Sequence, residues 1–240
     1  MEAISSHAVV QTEASNIGAG CRIGEFAVIR PNVVLGEGVV IHPNVVIHEG
    51  VVIGDRVEVF PGAVIGRTPK GAGATARTPE FQEHVRIGDD CSIGPHSVVY
   101  YDVAIGANTL VGDGASIREQ CVIGTHCIIS RQVTINYNTK IGNRVKIMDL
   151  SHLTGNMVIE DDAFVSTMVG TTNDAMLRDA GLAGPTIGRF AIVAAGATLL
   201  PGTRIGAHAV VGAGAVVTKD VGEREIVMGV PGKVVRTRTV

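Results

Sequence analysis

An aliphatic residue returns at every sixth position of this chain, and that period leaves few folds open to it. From Ile17 the sequence runs I-G-A-G-C-R, I-G-E-F-A-V, I-R-P-N-V-V, L-G-E-G-V-V, and the frame holds to Ile65. It resumes at Ile87, holds to Val165, returns at Ile187 and runs to Val217, giving nine hexads, then fourteen, then six. Position two of the hexad is mostly Gly or polar, and position five is mostly Ala, Val, Cys, Ser or Thr. A fixed short period of this kind marks a solenoid.

Six residues cannot complete a helical hairpin, but they supply one short strand and one turn. A β-branched residue suits the strand, and Gly suits the turn after it, where positive φ is expected. Three hexads then make a triangular coil of eighteen residues, stacked in parallel on the next coil at about 4.8 Å, with the first residues forming the core. The chain has no Trp, 3% aromatics and 31 Gly in 240 residues, which fits a narrow interior. The expected layout is all-β: a helix over residues 1–222 of about nine or ten coils, then a short C-terminal extension, 223–240. It resembles the left-handed parallel β-helix of the hexapeptide-repeat family over about four fifths of the chain. The left hand is implied by that resemblance, because it runs against the usual right-handed crossover.

A net charge of −3 gives no global drive toward nucleic acid or anionic membrane. Met1–Val10 lacks a basic start and a sustained apolar run, so a cytoplasmic protein is expected. Cys21, Cys91, Cys121 and Cys127 all fall at position five, the small inward site, and are expected to be buried hydrophobes instead of metal ligands or nucleophiles. No metal is expected. Residues 67–84 and 171–186 break the period, and loops of that length in a repeat array are usually functional or disordered. The first carries Arg67, Lys70 and Arg77, which fit a phosphate-bearing ligand.

Residues eighteen apart stack in columns. In the middle block one turn column keeps Gly88, Gly106, Gly124 and Gly142. A second begins with Gly94 and Gly112 and departs at Ser130, Met148 and Ser166. The third has Tyr100, Arg118, Asn136, Thr154 and Thr172, flanked by Tyr101, Glu119, Tyr137, Gly155 and Asn173. That corner exchanges the turn glycine for donors, acceptors and rings. Arg118, Glu119, Asn136 and Tyr137, with Asn173 and Asp174 from the second loop, are the candidate substrate-binding residues. Asp149 and His152 lie in the neighbouring hexad, and with Asn138 they are the candidate catalytic group: the proton acceptor is His152, oriented by Asp149, or a water held by Asp149 and Asn138.

The end of the chain reads IGRFAIVAAGATLLPGTRIGAHAVVGAGAVVTKDV, then VMGVPGKVVR. It is similar to the last coils of acyl-CoA-dependent hexapeptide acyltransferases. The resemblance implies coenzyme binding along Ala194, Ala195, Gly196, Gly212, Ala213 and Gly214, with Lys219, Lys233 and Arg236 toward its phosphates. It also implies a groove between subunits, hence a homotrimer. Within the family, the segments SRQVTINYNTKIGN, DLSHLTGN and TTND resemble nucleotide-sugar N-acetyltransferases acting on dTDP-3-amino-3,6-dideoxyhexoses. The implied activity is direct acetyl transfer from acetyl-CoA to the amino group of a nucleotide-linked amino-deoxyhexose, with the nucleotide extending toward the first loop. The chain also resembles the lipid A acyltransferases, but Tyr137 stands where those carry a His. A sugar O-acyltransferase is the main alternative. A γ-type carbonic anhydrase lacks its His-x4-His pair here, and a non-catalytic scaffold leaves the Gly-free corner unexplained.

Overall fold

A computed structural model describes residues 4–72, 77–174 and 182–239. The chain is a left-handed parallel β-helix with three walls of 11, 9 and 12 strands, most of them two residues long. Each coil visits each wall once, so strands three apart in sequence order are hydrogen-bonded neighbours. A 3₁₀ turn at Ala14–Asn16 is the only helical element among the described residues. Both insertions keep the phase. Ile53 pairs with Ile87 and Ile65 with Val99 across the first, Ile159 with Ile187 and Val165 with Val193 across the second.

Position one fills the prism. Ile29, Ile65, Ile93, Ile117, Ile135 and Ile147 are fully buried, and each removes a side chain from water for roughly 1.5–3 kcal/mol. Position five packs between them, and all four cysteines are buried there as free thiols. Burial pushes the Cys121 thiol up to about 12, so it is neither nucleophile nor ligand near neutral pH.

The turns differ from the sequence expectation in one respect. Positive φ falls at position four, which Asn, Asp, His and Arg occupy as well as Gly: Asn108 at 58°, His126 at 58°, Arg144 at 56°. Glycine at position two serves a different need. A Cβ on Gly106 would sit 2.7 Å from the backbone of Gly124, and one on Gly124 would sit 2.5 Å from the carbonyl oxygen of Gly142. Coil-on-coil approach, and not left-handed backbone, therefore selects the column. This glycine corner leads from the 9-strand wall into the 12-strand wall. A small-residue corner follows the 12-strand wall, and a polar corner follows the 11-strand wall.

The stack outruns the nine or ten coils that the repeat predicts, because irregular segments join it at both ends. Val9–Val10 pairs with Val28–Ile29, and Glu225–Met228 extends the 12-strand wall before Lys233–Thr237 folds back antiparallel on it. Both insertions leave from the polar corner, between Val64–Arg67 and Val85–Ile87 and between Gly170–Thr171 and Thr186–Ile187. Residues 73–76 of the first and 175–181 of the second lie outside the described residues.

Candidate active site

The polar corner gathers side chains from five successive coils and both insertions. Arg118 follows the buried Ile117 and turns outward over the Tyr100 ring, its guanidinium carbon 5.0 Å from the centroid. Arg67, at the root of the first loop, donates to the Tyr100 hydroxyl and lies 4.8 Å over the same ring. Glu119 is 0% exposed and ion-paired on two sides: Arg118 Nε donates to it at 2.9 Å, and Arg77 reaches it from the first loop. Burial pushes the Glu119 carboxyl up, but the arginine hydrogen bonds outweigh burial and hold it below the usual range, so it is ionised.

Tyr137 is where the two loops meet. Arg77 stacks on one part of its ring at 3.8 Å, and Asn173, from the root of the second loop, donates to its hydroxyl at 3.4 Å. Asn173 stands two coils from Tyr137 and reaches it because Gly155 intervenes without a side chain. A Cβ on Gly155 would sit 2.6 Å from the Tyr137 ring. Asn138 donates to Asn156 at 2.8 Å, and Asn156 donates to the carbonyl of Leu182 at 2.9 Å, which ties the second loop down again. Lys70, Gly71, Arg77, Pro79, Arg118, Asn136 and Tyr137 line a cleft of about 330 Å³. Three cations against the single carboxylate of Glu119 leave it positive. Asp174 is exposed at the loop root.

His152 lies beside this corner on the outer face of the 11-strand wall. Its Nδ1 is 2.7 Å from the Thr134 hydroxyl, and Asn136 N donates to Leu153 O at 2.9 Å. Desolvation by its neighbours lowers the ring's pKa, so the imidazole is neutral at pH 7, and in the tautomer whose Nδ1–H donates to Thr134 its Nε2 is free to take a proton. The structure does not bring Asp149 to this ring. Asp149 belongs to the small-residue corner, where Arg131 and Ser130 bind it and hold its pKa at about 2. Sequence adjacency placed the two together, but Asp149 sits in the turn at the small-residue corner and His152 in the strand after it, on the 11-strand wall. Thr134, not Asp149, is the residue bonded to the imidazole.

Ala194, Ala195 and Gly196 stack directly on Gly212, Ala213 and Gly214 at the small-residue corner, joined by Gly214 N to Ala195 O at 2.9 Å. A Cβ at Gly196 or Gly214 would meet nothing within 4 Å, so the surface is open to close approach by a ligand's chain. A Cβ at Gly212 would strike Met228 at 2.8 Å, so its glycine accommodates the C-terminal strand. The three predicted phosphate cations come from the C-terminal end of the chain, where Gly232 N donates to Val216 O at 2.7 Å. Lys219 follows strand Val216–Val217, Lys233 begins the last strand, and Arg236 lines a separate cleft with Ile192, Val210, Ile226 and Met228. No group of three or more His, Cys, Asp or Glu among the described residues could hold a metal ion. No helix there is long and apolar enough to cross a membrane.

The model of bacterial transferase hexapeptide repeats matches residues 14–49, 32–67, 102–136 and 184–219, just over half of the chain. The chain belongs to this family. A hexapeptide transferase is an enzyme, and the solved structures that this one resembles include acyltransferases. An Arabidopsis UDP-N-acetylglucosamine acyltransferase is 23% identical with a TM-score of 0.65, covering 98% of this chain and 71% of that one. A UDP-N-acetylglucosamine acyltransferase from Bacteroides fragilis is 23% identical with a TM-score of 0.55, covering 97% and 74%. AntD, an N-acyltransferase from Bacillus cereus in complex with dTDP and coenzyme A, is 20% identical with a TM-score of 0.52, covering 56% and 83%. At these identities the likeness establishes the fold. Among curated proteins no relative matches.

The sequence reading offered Lys70 and Arg77 as phosphate-binding loop residues without joining them to the corner, named Gly155 in the column without a role, and missed Thr134. Gly155 carried a usable signal: it is a glycine at position three, one coil below a tyrosine, where the turn itself does not ask for one.

Proposed function

We propose that this hexapeptide transferase moves an acetyl group from acetyl-CoA to the amino group of a nucleotide-linked amino-deoxyhexose. The cleft at the polar corner carries the reading. Its excess positive charge, with Arg77 and Arg118 as planar donors, matches a diphosphate, and Asn136 in its lining supplies a neutral partner for a sugar. The acyl donor would run along Ala194–Gly196 and Gly212–Gly214, where the surface is open. AntD, with bound dTDP and coenzyme A, shows that the fold can serve such ligands.

An amine acceptor fits the chemistry better than a hydroxyl. His152 has a hydroxyl partner and, among the described residues, no carboxylate, so its basicity is not reinforced. An unprotonated amine attacks the thioester without prior deprotonation, and His152 then accepts the proton released by the tetrahedral intermediate. A backbone N–H facing the oxyanion would supply about 3–4 kcal/mol. No cysteine of the four is exposed, which speaks against an acyl-cysteine intermediate.

A homotrimer is part of the proposal. Leu150 and Met168 stack at the small-residue corner, 55% and 59% exposed, with φ of 63° and 55°. Large apolar residues in left-handed backbone cost about 1–2 kcal/mol each, and a second copy covering them would offset that. Sedimentation or light scattering tests it. A cytoplasmic setting follows from nucleotide-sugar and acetyl-CoA supply.

Thiol release from acetyl-CoA, measured with dTDP- and UDP-linked 3-amino and 4-amino hexoses and their hydroxyl counterparts, decides the activity. Turnover with an amine and none with its hydroxyl partner is the expected result. The reverse would establish O-transfer, the second reading.

A further inference from the structure

Among the described residues Glu119 is the only charged side chain in the buried interior. The repeat does not ask for it: the same turn position in the flanking coils holds Tyr101, Tyr137 and Gly155. A buried carboxylate is tolerated only when paired, and this one is paired twice, by the arginine beside it and by one from the first inserted loop. Each guanidinium is also held flat by an aromatic face, Arg77 by Tyr137 and Arg118 by Tyr100. Both arginines line the cleft while remaining about a third exposed, at 30% and 32%. Glu119 thus binds the inner edges of two guanidiniums whose outer edges face the cleft.

We infer that Glu119 is a positioning residue for the anionic part of the substrate. It does not touch the ligand. It fixes Arg77 and Arg118 in one orientation before binding, so that a diphosphate meets donors already aimed and the ordering of two long side chains is not charged against affinity. This rests on the reading of the cleft as the diphosphate site.

The test is a double-mutant cycle on the full chain, read by calorimetric titration with dTDP and UDP and by steady-state KM and kcat. Arg77→Ala should weaken nucleotide binding about tenfold, the size of one charge-assisted contact. Glu119→Gln should cost about as much in wild type but only about threefold in the Arg77→Ala background, because part of its effect passes through Arg77. The KM for acetyl-CoA and the kcat should stay within about twofold, which a general loss of structure would not allow. Equal costs in the two backgrounds overturn the inference, and tighter binding in Glu119→Gln would make Glu119 a competitor for the cations. If Glu119→Gln does not fold, Glu119→Asp keeps the charge but withdraws it by one methylene. Weaker binding at a near-normal melting temperature then supports positioning, and unchanged binding refutes it. The cleft reading fails separately and recognisably: wild type would bind neither nucleotide, or Arg77→Ala and Arg118→Ala would bind as wild type does.

Discussion

The glycine corner and the polar corner are two vertices of the same triangular coils, built on the same period, yet they use position two in opposite ways. At the glycine corner the coils approach so closely that a Cβ on Gly124 would lie 2.5 Å from the next coil. Chemistry there is confined to position three and beyond, where Asn143 and Asp161 accept backbone N–H groups at 2.9 and 2.8 Å and Arg144 pairs with Asp162. At the polar corner position two carries Tyr100, Arg118, Asn136 and Thr154, and both insertions emerge. The difference teaches that one vertex holds the stack together while another is released to hold ligands. A solenoid can do this because each coil is supported by its neighbours and not by any single corner.

Placing side chains on the two glycine types separates their roles most sharply. Gly124→Val should lower stability by about 3 kcal/mol or more, since backbone cannot yield to the new methyls, and a thermal or urea melt would show it. If that variant melts like wild type, close coil approach is not what selects the column. Gly155→Ala presses on the Tyr137 ring, which can rotate away. It should leave the melting temperature within a few degrees and cut kcat/KM about tenfold by releasing Arg77 and Asn173, about 1.4 kcal/mol of transition-state binding. Equal loss of stability in both variants would erase the contrast between the corners.

His152→Ala probes the polar corner alone. Amine acylation should lose less than about tenfold in kcat, whereas a hydroxyl acceptor that needs a base would lose about 10²–10⁴. Acid probes the other corners and has the smallest effect. Hydrogen bonds from Arg56 and Arg144 lower the pKa of Asp90 and Asp162, backbone N–H donation lowers that of Asp161, and Arg131 brings Asp149 to about 2. Carboxylates with depressed folded values add stability that is present above the unfolded value, near pH 4, and lost as pH falls toward 2. The melting temperature should therefore fall slightly from pH 7 to about 5, as His48 and His152, whose pKa values burial lowers, favour the unfolded state on charging, and decline further below about 4. The decline should be shallower in Asp162→Asn and in high salt. These groups are exposed, so each contribution is small.

Much of the site was legible from stacking arithmetic. Arg118, Glu119, Asn136, Tyr137 and Asn173 do share one corner, because an eighteen-residue coil fixes who stands above whom whatever the side chains do. Asp149 and His152 show the limit of that arithmetic. They lie three residues apart, but half a hexad is enough to move from a vertex onto a wall, and the carboxylate finds Arg131 one coil away instead. The joining of Arg77 to Glu119 and Tyr137 had no period to announce it, since loop residues are placed by the partners they find.

The sequence by itself determined the prism: the hexad, the buried aliphatic ladder, the inward cysteines and the vertex that gave up glycine. These follow from local geometry repeated at a fixed interval, and each coil needs only its neighbours. Only the tertiary structure decided that glycine at position two answers to the coil below, that His152 is paired with Thr134, and that two arginines share one buried carboxylate. Those facts depend on which non-repeating groups come within hydrogen-bond distance across coils and loops, and no interval along the chain encodes that.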